Sequence, residues 1–225
     1  MGLQDDLSGF YKFIEEFEEI KEFKDLIPGY RLSGVLAEEW LPVLAYLSTN
    51  TTVNMYHLFL QNFLKEWGLQ ENESTIFPPA FPPLHLLHSV KDEEYRKTKV
   101  GYRAKYLPAM VEYLINNKLS YDNSNWERNQ FLKQLKTIKG IGDYSARCIV
   151  LYGAKDYSMS FVDSYVKFLM NHYFNIDKSL TNNSLLKMMD EKFYPYQGLL
   201  IDWLTAIYSV SEALPNTKIF KLNQK

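Results

Sequence analysis

Cysteine and long apolar runs are scarce in this 225-residue sequence, which has one cysteine, Cys148, and no apolar run of about 18 residues. A single cysteine excludes an internal disulfide and a four-cysteine iron–sulfur cluster, and it favours a reducing, intracellular environment. Without a long apolar run, we expect no membrane-spanning helix. The acidic start, MGLQDDLSGF, also lacks the basic and apolar regions of a signal peptide.

Motifs for nucleotide, serine-nucleophile and metal chemistry are also missing. The sequence has no P-loop, no Gly-x-Ser-x-Gly elbow and no recognisable Cys–His pair. His85 and His88 could form half of a metal site, but the chain has only four histidines in all. No three-ligand zinc set is evident, so we predict no metal centre.

The apolar pattern is helical along nearly the whole chain. Phe10, Phe13 and Phe17 follow helical spacing, as do similar sets further on, and the one short β candidate is YSMSFV, residues 157–162. We therefore predict an all-α fold with two helical lobes and a central cleft. We expect a single compact unit with three parts. Residues 1–40 form an N-terminal helical segment that packs on the core, residues 41–115 form the first lobe, and residues 116–225 form the second lobe, which contains the hairpin and the catalytic aspartate.

Positive charge is clustered, although the net charge is only −2. Residues 96–105 carry five of the 25 lysines and arginines, and further cations flank residues 138–148. A local basic patch can bind nucleic acid whatever the net charge. The clustering fits a basic binding face and ordinary solvated charge equally well.

Two glycines one residue apart interrupt the helical pattern in IKGIGDYSARC, residues 138–148. A dinucleotide fingerprint needs a preceding strand and a third glycine, and both are missing. A tight turn between two helices is the better interpretation, because glycine accepts positive φ and leaves no Cβ to obstruct a close approach. The N–H groups of such a turn and of the following helix can bind a DNA phosphate. A plain helix connection would use the same glycines, so the turn alone leaves both interpretations open.

A carboxylate downstream of this turn has a defined place. Asp163 lies 21 residues after Gly142, follows a short apolar stretch and begins a predicted helix. Aspartate is a good helix N-cap. A capping carboxylate is held rigidly, which is also what a catalytic carboxylate requires, so the two roles are compatible.

The segment LKTIKGIGDYSARCIVLYGAKDYSMSFVDSYVKF, residues 135–168, resembles the signature of the helix-hairpin-helix DNA glycosylases. That signature is a glycine hairpin, a helix, an apolar loop of the Gly/Pro type and an aspartate. Weaker similarities lie upstream. Residues 101–110 resemble the stretch before the hairpin in 8-oxoguanine glycosylases, and residues 44–54 resemble the helix and turn that carry their gap-filling residue. The glycosylase-like region spans residues 40–212.

The resemblance implies a base-excision-repair enzyme that flips a damaged or mispaired base out of double-stranded DNA and hydrolyses its N-glycosidic bond. Asp163 is the implied catalytic carboxylate, which would stabilise an oxocarbenium-like transition state and orient water. Asn50 is the implied residue that fills the gap in the duplex, although a simple turn role fits it as well. The implied phosphate contacts are Lys136, Lys139, Gly140, Ile141, Gly142 and Arg147.

One position departs from the strand-cleaving members of that family. Those members carry a lysine two residues after the second hairpin glycine, and its amine forms a Schiff base with the sugar. Tyr144 stands at this position, and tyrosine cannot form that adduct, so we predict a glycosylase without AP-lyase activity. Two alternatives stay open: a bifunctional 8-oxoguanine-type enzyme that uses another lysine, such as Lys139 or Lys155, and a non-catalytic hairpin module that only binds DNA.

The base pocket and the lesion are less sharply defined by the resemblance. We expect Tyr144, Cys148, Tyr165 and Trp203 to line the pocket, although core packing is the ordinary role of any single aromatic residue. Electron-rich rings suit a cationic alkylpurine, whereas Cys148 and the GYRAKY stretch favour 8-oxoguanine. Uracil and T·G mismatches are further alternatives.

The resemblance requires no cofactor and no iron–sulfur cluster, and it allows a monovalent cation at the hairpin carbonyls. The expected partner is duplex DNA that contains a damaged or mismatched base. We expect an intracellular monomer without membrane contact.

Overall fold

A computed structural model describes residues 6–32, 38–69, 80–122 and 127–213. Within these ranges the chain forms ten α-helices, four short 3-10 helices and no strand, apart from an isolated bridge between Leu69 and Ala80. The all-α prediction is confirmed. The β candidate at 157–162 is irregular, because no strand in the described residues offers it a ladder partner. None of the helices in these ranges has the length and apolar character needed to cross a membrane.

The ten α-helices and four 3-10 helices of the described ranges have the following bounds. In chain order they are α1 (Ser8–Glu15), α2 (Leu41–Leu47), α3 (Val53–Trp67), α4 (Asp92–Lys97), α5 (Leu107–Asn116), α6 (Arg128–Thr137), α7 (Asp143–Ala154), α8 (Ser164–Phe174), α9 (Asn182–Lys192) and α10 (Gln197–Ala213). The 3-10 helices are Lys21–Asp25, Glu38–Trp40, Leu84–Leu87 and Gly101–Tyr106.

The chain divides into two compact units. One combines Met1–Gly34 with Lys155–Lys225, and the other is Val35–Ala154. These boundaries differ from the predicted ones near residues 40 and 115. The N-terminal segment shares a unit with the C-terminal helices because its aromatic side chains pack on them, and helical periodicity does not specify such long-range partners.

Local chemistry sets the helix starts in the Val35–Ala154 unit. Pro42 and Pro108 occupy the first turns of α2 and α5, where a missing N–H removes no helical hydrogen bond. Thr52 caps α3 by accepting a hydrogen bond from the N–H of Met55 at 3.3 Å. The hydroxyl of Ser145 on α7 donates to a carbonyl of α2 at 3.4 Å, so these two helices are joined by a polar contact as well as by packing.

Aromatic packing organises the other unit. The ring centre of Phe10, on α1, lies 6.1 Å from that of Trp203 on α10 and 5.6 Å from that of Tyr196. Both ring pairs are edge-to-face, and burying an aromatic side chain in this way contributes about 1.5–3 kcal/mol. The hydroxyl of Tyr30 donates to the carboxylate of Asp202, which fastens the end of the N-terminal segment to α10.

Candidate DNA interface and catalytic carboxylate

The glycine hairpin lies between α6 and α7, as the sequence predicts. The turn closes through a hydrogen bond from the N–H of Ile141 to the carbonyl of Ile138 at 3.0 Å. Gly140 has a φ of 98°, which side-chain-bearing residues rarely adopt. A Cβ at this position would lie 3.1 Å from Cε2 of Tyr46 and 3.3 Å from Cε of Met110. Conformation and packing therefore both require glycine.

The outer side of the hairpin presents backbone and one cation. Lys139 and Gly142 are exposed, whereas the side chain of Ile141 is buried and anchors the turn. A Cβ on Gly142 would meet nothing within 4 Å, so this glycine leaves an open approach to the start of α7. The first N–H groups of an α-helix have no carbonyl partner within the helix and attract anions. The turn thus has the chemistry of a phosphate site.

Two of the predicted phosphate contacts share a carboxylate. Oδ1 of Asp143 lies 2.6 Å from Nζ of Lys136, and its Oδ2 accepts from Nε of Arg147 at 2.8 Å. Partial burial acts to raise the pKa of Asp143, but the hydrogen bonds from the two cations outweigh it and hold the pKa below its ordinary value. Asp143 is absent from the predicted site, although its place directly after the second glycine was a usable signal.

The turn between α2 and α3 exposes Asn50, whose φ of 46° lies in the left-handed region that asparagine tolerates. Arg103, only 4% exposed, fastens this turn. Its guanidinium donates to the carbonyl of Thr49 and, at 3.1 Å, to that of Asn50. The guanidinium carbon also lies 5.2 Å from the ring centre of Phe59 and 4.7 Å from that of Tyr102. A buried arginine thus holds the backbone that carries Asn50.

Tyr46 connects the two turns within the Val35–Ala154 unit. Its hydroxyl donates to the carbonyl of Arg103 at 3.3 Å, and its ring packs against Gly140. Burial raises the pKa of Tyr46 to about 12, so the phenol stays a hydrogen-bond donor at neutral pH. The GYRAKY stretch is conspicuous in the sequence, but no role is predicted there for its arginine, Arg103. The carbonyls that Arg103 contacts lie 53 and 54 residues earlier in the chain, so the sequence gives no local sign of these contacts.

Asp163 caps α8, as the sequence predicts. Its Oδ1 accepts a hydrogen bond from the N–H of Val166 at 2.8 Å, and its side chain is half-buried. The cap restricts the carboxylate to one orientation. Asp163 belongs to the unit that contains Lys155–Lys225, whereas the hairpin and Asn50 belong to Val35–Ala154.

The four predicted pocket residues differ in their surroundings. Tyr144 is half-buried in the first turn of α7, Cys148 is buried on the same helix, and Tyr165 is 39% exposed at the start of α8. Trp203 is fully buried, with α1 packed against it through Phe10. The prediction that Trp203 lines the base pocket is therefore wrong, because its covered ring offers no face to a base.

The monovalent cation at the hairpin carbonyls stays a prediction. The carbonyls of Ile138 and Gly142 each accept one backbone hydrogen bond, from Ile141 and Ala146, and a carbonyl retains a second lone pair that can face a cation. In the part of the chain that the structure describes, no three histidine, cysteine, aspartate or glutamate side chains are grouped to hold a metal ion.

The sequence is similar to that of a curated plant protein. No protein-family model matches the sequence. The chain is 26% identical over 205 residues to the N-glycosylase/DNA lyase OGG1 of Arabidopsis thaliana, a match that covers 87% of this chain and 56% of the relative. The chain therefore spans just over half the length of that curated relative.

Solved structures share the fold. The 8-oxoguanine glycosylase/lyase of Clostridium acetobutylicum, in complex with DNA containing cytosine opposite 8-oxoguanine, matches with a TM-score of 0.78 at 24% identity, over 94% of this chain and 72% of that one. The 3-methyladenine DNA glycosylase Mag1 of Schizosaccharomyces pombe, in complex with abasic DNA, matches with a TM-score of 0.70 at 16% identity, over 94% of this chain and 100% of that one.

The all-α fold, the glycine hairpin and the helix-capping aspartate follow the order of elements that the resemblance in residues 135–168 implies. Solved structures that share this fold include an 8-oxoguanine glycosylase/lyase and a 3-methyladenine DNA glycosylase. The chain is thus similar in sequence to one DNA glycosylase and in fold to several, and both findings agree with the resemblance seen in residues 135–168.

Proposed function

We propose that this chain is a DNA glycosylase of base excision repair, which hydrolyses the N-glycosidic bond of a damaged or mispaired base in duplex DNA. The observation that carries the proposal is Asp163, a carboxylate fixed by its own cap 21 residues after a hairpin with the chemistry of a phosphate site. A module that only binds DNA needs no fixed carboxylate at this spacing. The glycosylase activities that the relatives' names state support the same function.

In the proposed reaction, the bond between C1′ of the sugar and the base nitrogen breaks, and the electron pair leaves with the base. Positive charge grows on the sugar, and the Asp163 carboxylate stabilises it. A water oxygen then adds to C1′, and its proton passes to the carboxylate or to solvent. The hairpin amides and Lys139 hold phosphates of the strand, while Asn50 fills the space that the flipped base leaves.

We also propose that the enzyme leaves the DNA strand uncut. A lyase needs an amine that attacks C1′ and forms a Schiff base, and the phenol of Tyr144 cannot do so. Lys139 and Lys155 are the two other lysines that we consider as possible nucleophiles. Trapping the Schiff base with borohydride tests both of them directly.

The test uses duplexes that each contain one lesion: 8-oxoguanine opposite cytosine, an alkylpurine, uracil or a T·G mismatch. For at least one lesion, we expect strand breaks that appear only after alkali, without a borohydride-trapped adduct. A trapped adduct would identify an active amine and contradict the monofunctional proposal. Binding to DNA without release of any of these bases would favour the hairpin module instead.

Asp163→Asn removes the charge and keeps the shape of the capping side chain. We expect base release to fall by about 100-fold or more, as for other groups that stabilise transition-state charge, while duplex binding stays close to wild type. Asp177→Asn is the matched control, because Asp177 is an exposed aspartate just beyond α8 that holds Ser179 through its carboxylate. Unchanged release by Asp163→Asn would refute the assigned role.

A further inference from the structure

Asp143 bridges the two helices of the hairpin. Its carboxylate contacts Lys136 in the last turn of α6, at 2.6 Å, and Arg147 on α7, at 2.8 Å. All three side chains are partly exposed, at 54%, 44% and 24% for Asp143, Lys136 and Arg147. Lys139, by contrast, has no acidic partner among the described residues. One carboxylate thus engages two of the three side-chain cations that we assign to phosphate contact.

The ion pairs of Asp143 with Lys136 and Arg147 reduce the net positive charge of the hairpin surface that would contact DNA. Two cations and one anion give these three side chains a net charge of +1 in place of +2. Exposed ion pairs contribute little to stability, so the fold has little need of this arrangement. The effect of Asp143 on DNA binding is larger than its effect on stability. Asp143 lies at the start of α7, so its charge is within the Debye length, about 8 Å at physiological ionic strength, of a phosphate bound there.

We propose that Asp143 is a built-in competitor of DNA phosphates, which holds Lys136 and Arg147 and so weakens the grip of the hairpin on undamaged duplex. The inference rests on the proposed function in one respect, that the hairpin is the surface that contacts DNA. A phosphate that reaches the start of α7 must share the two cations with the carboxylate or displace it. Fewer counterions are then released on binding, and the protein leaves undamaged sites sooner.

The opposite role is that Asp143 orients two flexible cations toward the phosphates. In that case its removal would weaken binding, because Lys136 and Arg147 would lose their fixed positions. The two roles predict opposite signs for the effect of a single substitution on the affinity for undamaged DNA.

Asp143→Asn keeps the size of the side chain and leaves both cations in place. Asp92→Asn is the matched control, because partly exposed Asp92 pairs with Arg96 at 3.5 Å on α4, in the same unit. The control changes the net charge equally but outside the hairpin. Fluorescence anisotropy with an undamaged duplex, over a series of salt concentrations, measures both the affinity and its dependence on salt.

We expect Asp143→Asn to tighten binding of the undamaged duplex by about three- to tenfold at low salt. The slope of log Kd against log salt concentration should steepen by about 1–2, since up to two more cations contact phosphates. Asp92→Asn should change neither quantity, and adding Lys136→Met to Asp143→Asn should reverse part of the gain. Unchanged or weaker binding by Asp143→Asn would overturn the inference.

Single-turnover base release with the same proteins separates this inference from the proposed function. If the wild-type protein releases no base but Asp143→Asn tightens binding, the inference stands and the glycosylase proposal fails. If the wild-type protein releases a base and Asp143→Asn binds undamaged DNA no better, the inference alone fails.

Discussion

The turn at residues 138–142 and the turn at residues 48–52 both join two helices, and both contain a residue with positive φ. At Gly140 the φ is 98°, and the missing side chain makes room for Tyr46 and Met110. At Asn50 the φ is 46°, and the residue is exposed. The first turn packs its left-handed residue inward, whereas the second presents it to solvent.

The difference shows which part of each turn is available to a partner. A turn whose left-handed residue is packed inside can offer only backbone groups and neighbouring side chains, here Gly142 and Lys139. A turn whose left-handed residue is exposed can offer that side chain, provided that the backbone beneath it is held. Arg103 does this for Asn50 through two carbonyls, so the second turn depends on a side chain for the support that the first obtains from packing.

Gly140→Ala should break the first turn with the largest effect. The left-handed backbone costs a side-chain-bearing residue about 1–2 kcal/mol, and crowding against Tyr46 and Met110 adds about 1–2 kcal/mol. We expect the free energy of unfolding, measured in urea, to fall by about 2–4 kcal/mol.

Gly142→Ala is the matched variant, because its added Cβ meets nothing within 4 Å. Stability should change by no more than about 0.5 kcal/mol, while the methyl group obstructs the approach of a phosphate and weakens duplex binding. Equal destabilisation by the two alanines would contradict the assignment of Gly140 to packing and Gly142 to contact.

Arg103→Met should release the second turn. The methionine keeps apolar contact with Phe59 but donates nothing to the carbonyls of Thr49 and Asn50, so we expect a loss of about 1–3 kcal/mol in the free energy of unfolding. Base release should fall as well. The loss of base flipping, measured by 2-aminopurine fluorescence, should equal the loss that Asn50→Ala produces.

Arg96→Met, at an arginine that is 54% exposed on α4, is the control and should leave stability and release near wild type. In the Arg103→Met and Asn50→Ala double variant, the losses of flipping should not add, because both changes act on one turn. Additive losses would mean that Arg103 acts separately from Asn50.

Sequence reasoning succeeded where the determining contacts are local. The hairpin follows from two glycines between helical patterns, and the Asp163 cap follows from one residue and the three after it. It failed where partners are distant. The sequence alone left Trp203 between the base pocket and the core, and only the structure shows that α1 covers it. The same holds for Arg103, whose partner carbonyls are 53 and 54 residues away.

Asn50→Gly and Asn50→Ala separate backbone strain from side-chain function. Glycine accepts a φ of 46° freely, whereas alanine does not, so Asn50→Ala should be less stable than Asn50→Gly by about 1 kcal/mol. Both variants lack the side chain that fills the gap in the duplex, so both should lose base flipping to a similar extent. Normal flipping by Asn50→Gly, measured with 2-aminopurine, would show that the turn and not the side chain matters.

The smallest expected effect is a dependence of stability on pH, and it concerns Asp143, the residue that follows the turn at residues 138–142. The turn at residues 48–52 contains no titratable side chain and should show no such effect. The folded pKa of Asp143 lies below its unfolded value of about 3.9, so its ion pairs stabilise the protein above that pH and are lost as pH falls through the folded pKa. Since the side chain is 54% exposed, solvent screening limits the contribution to a few tenths of a kcal/mol. Asp143→Asn should therefore be slightly less stable than wild type at about pH 7 and equally stable at about pH 2, measured by urea unfolding. A difference of the same size at both pH values would mean that the carboxylate's charge is not its source.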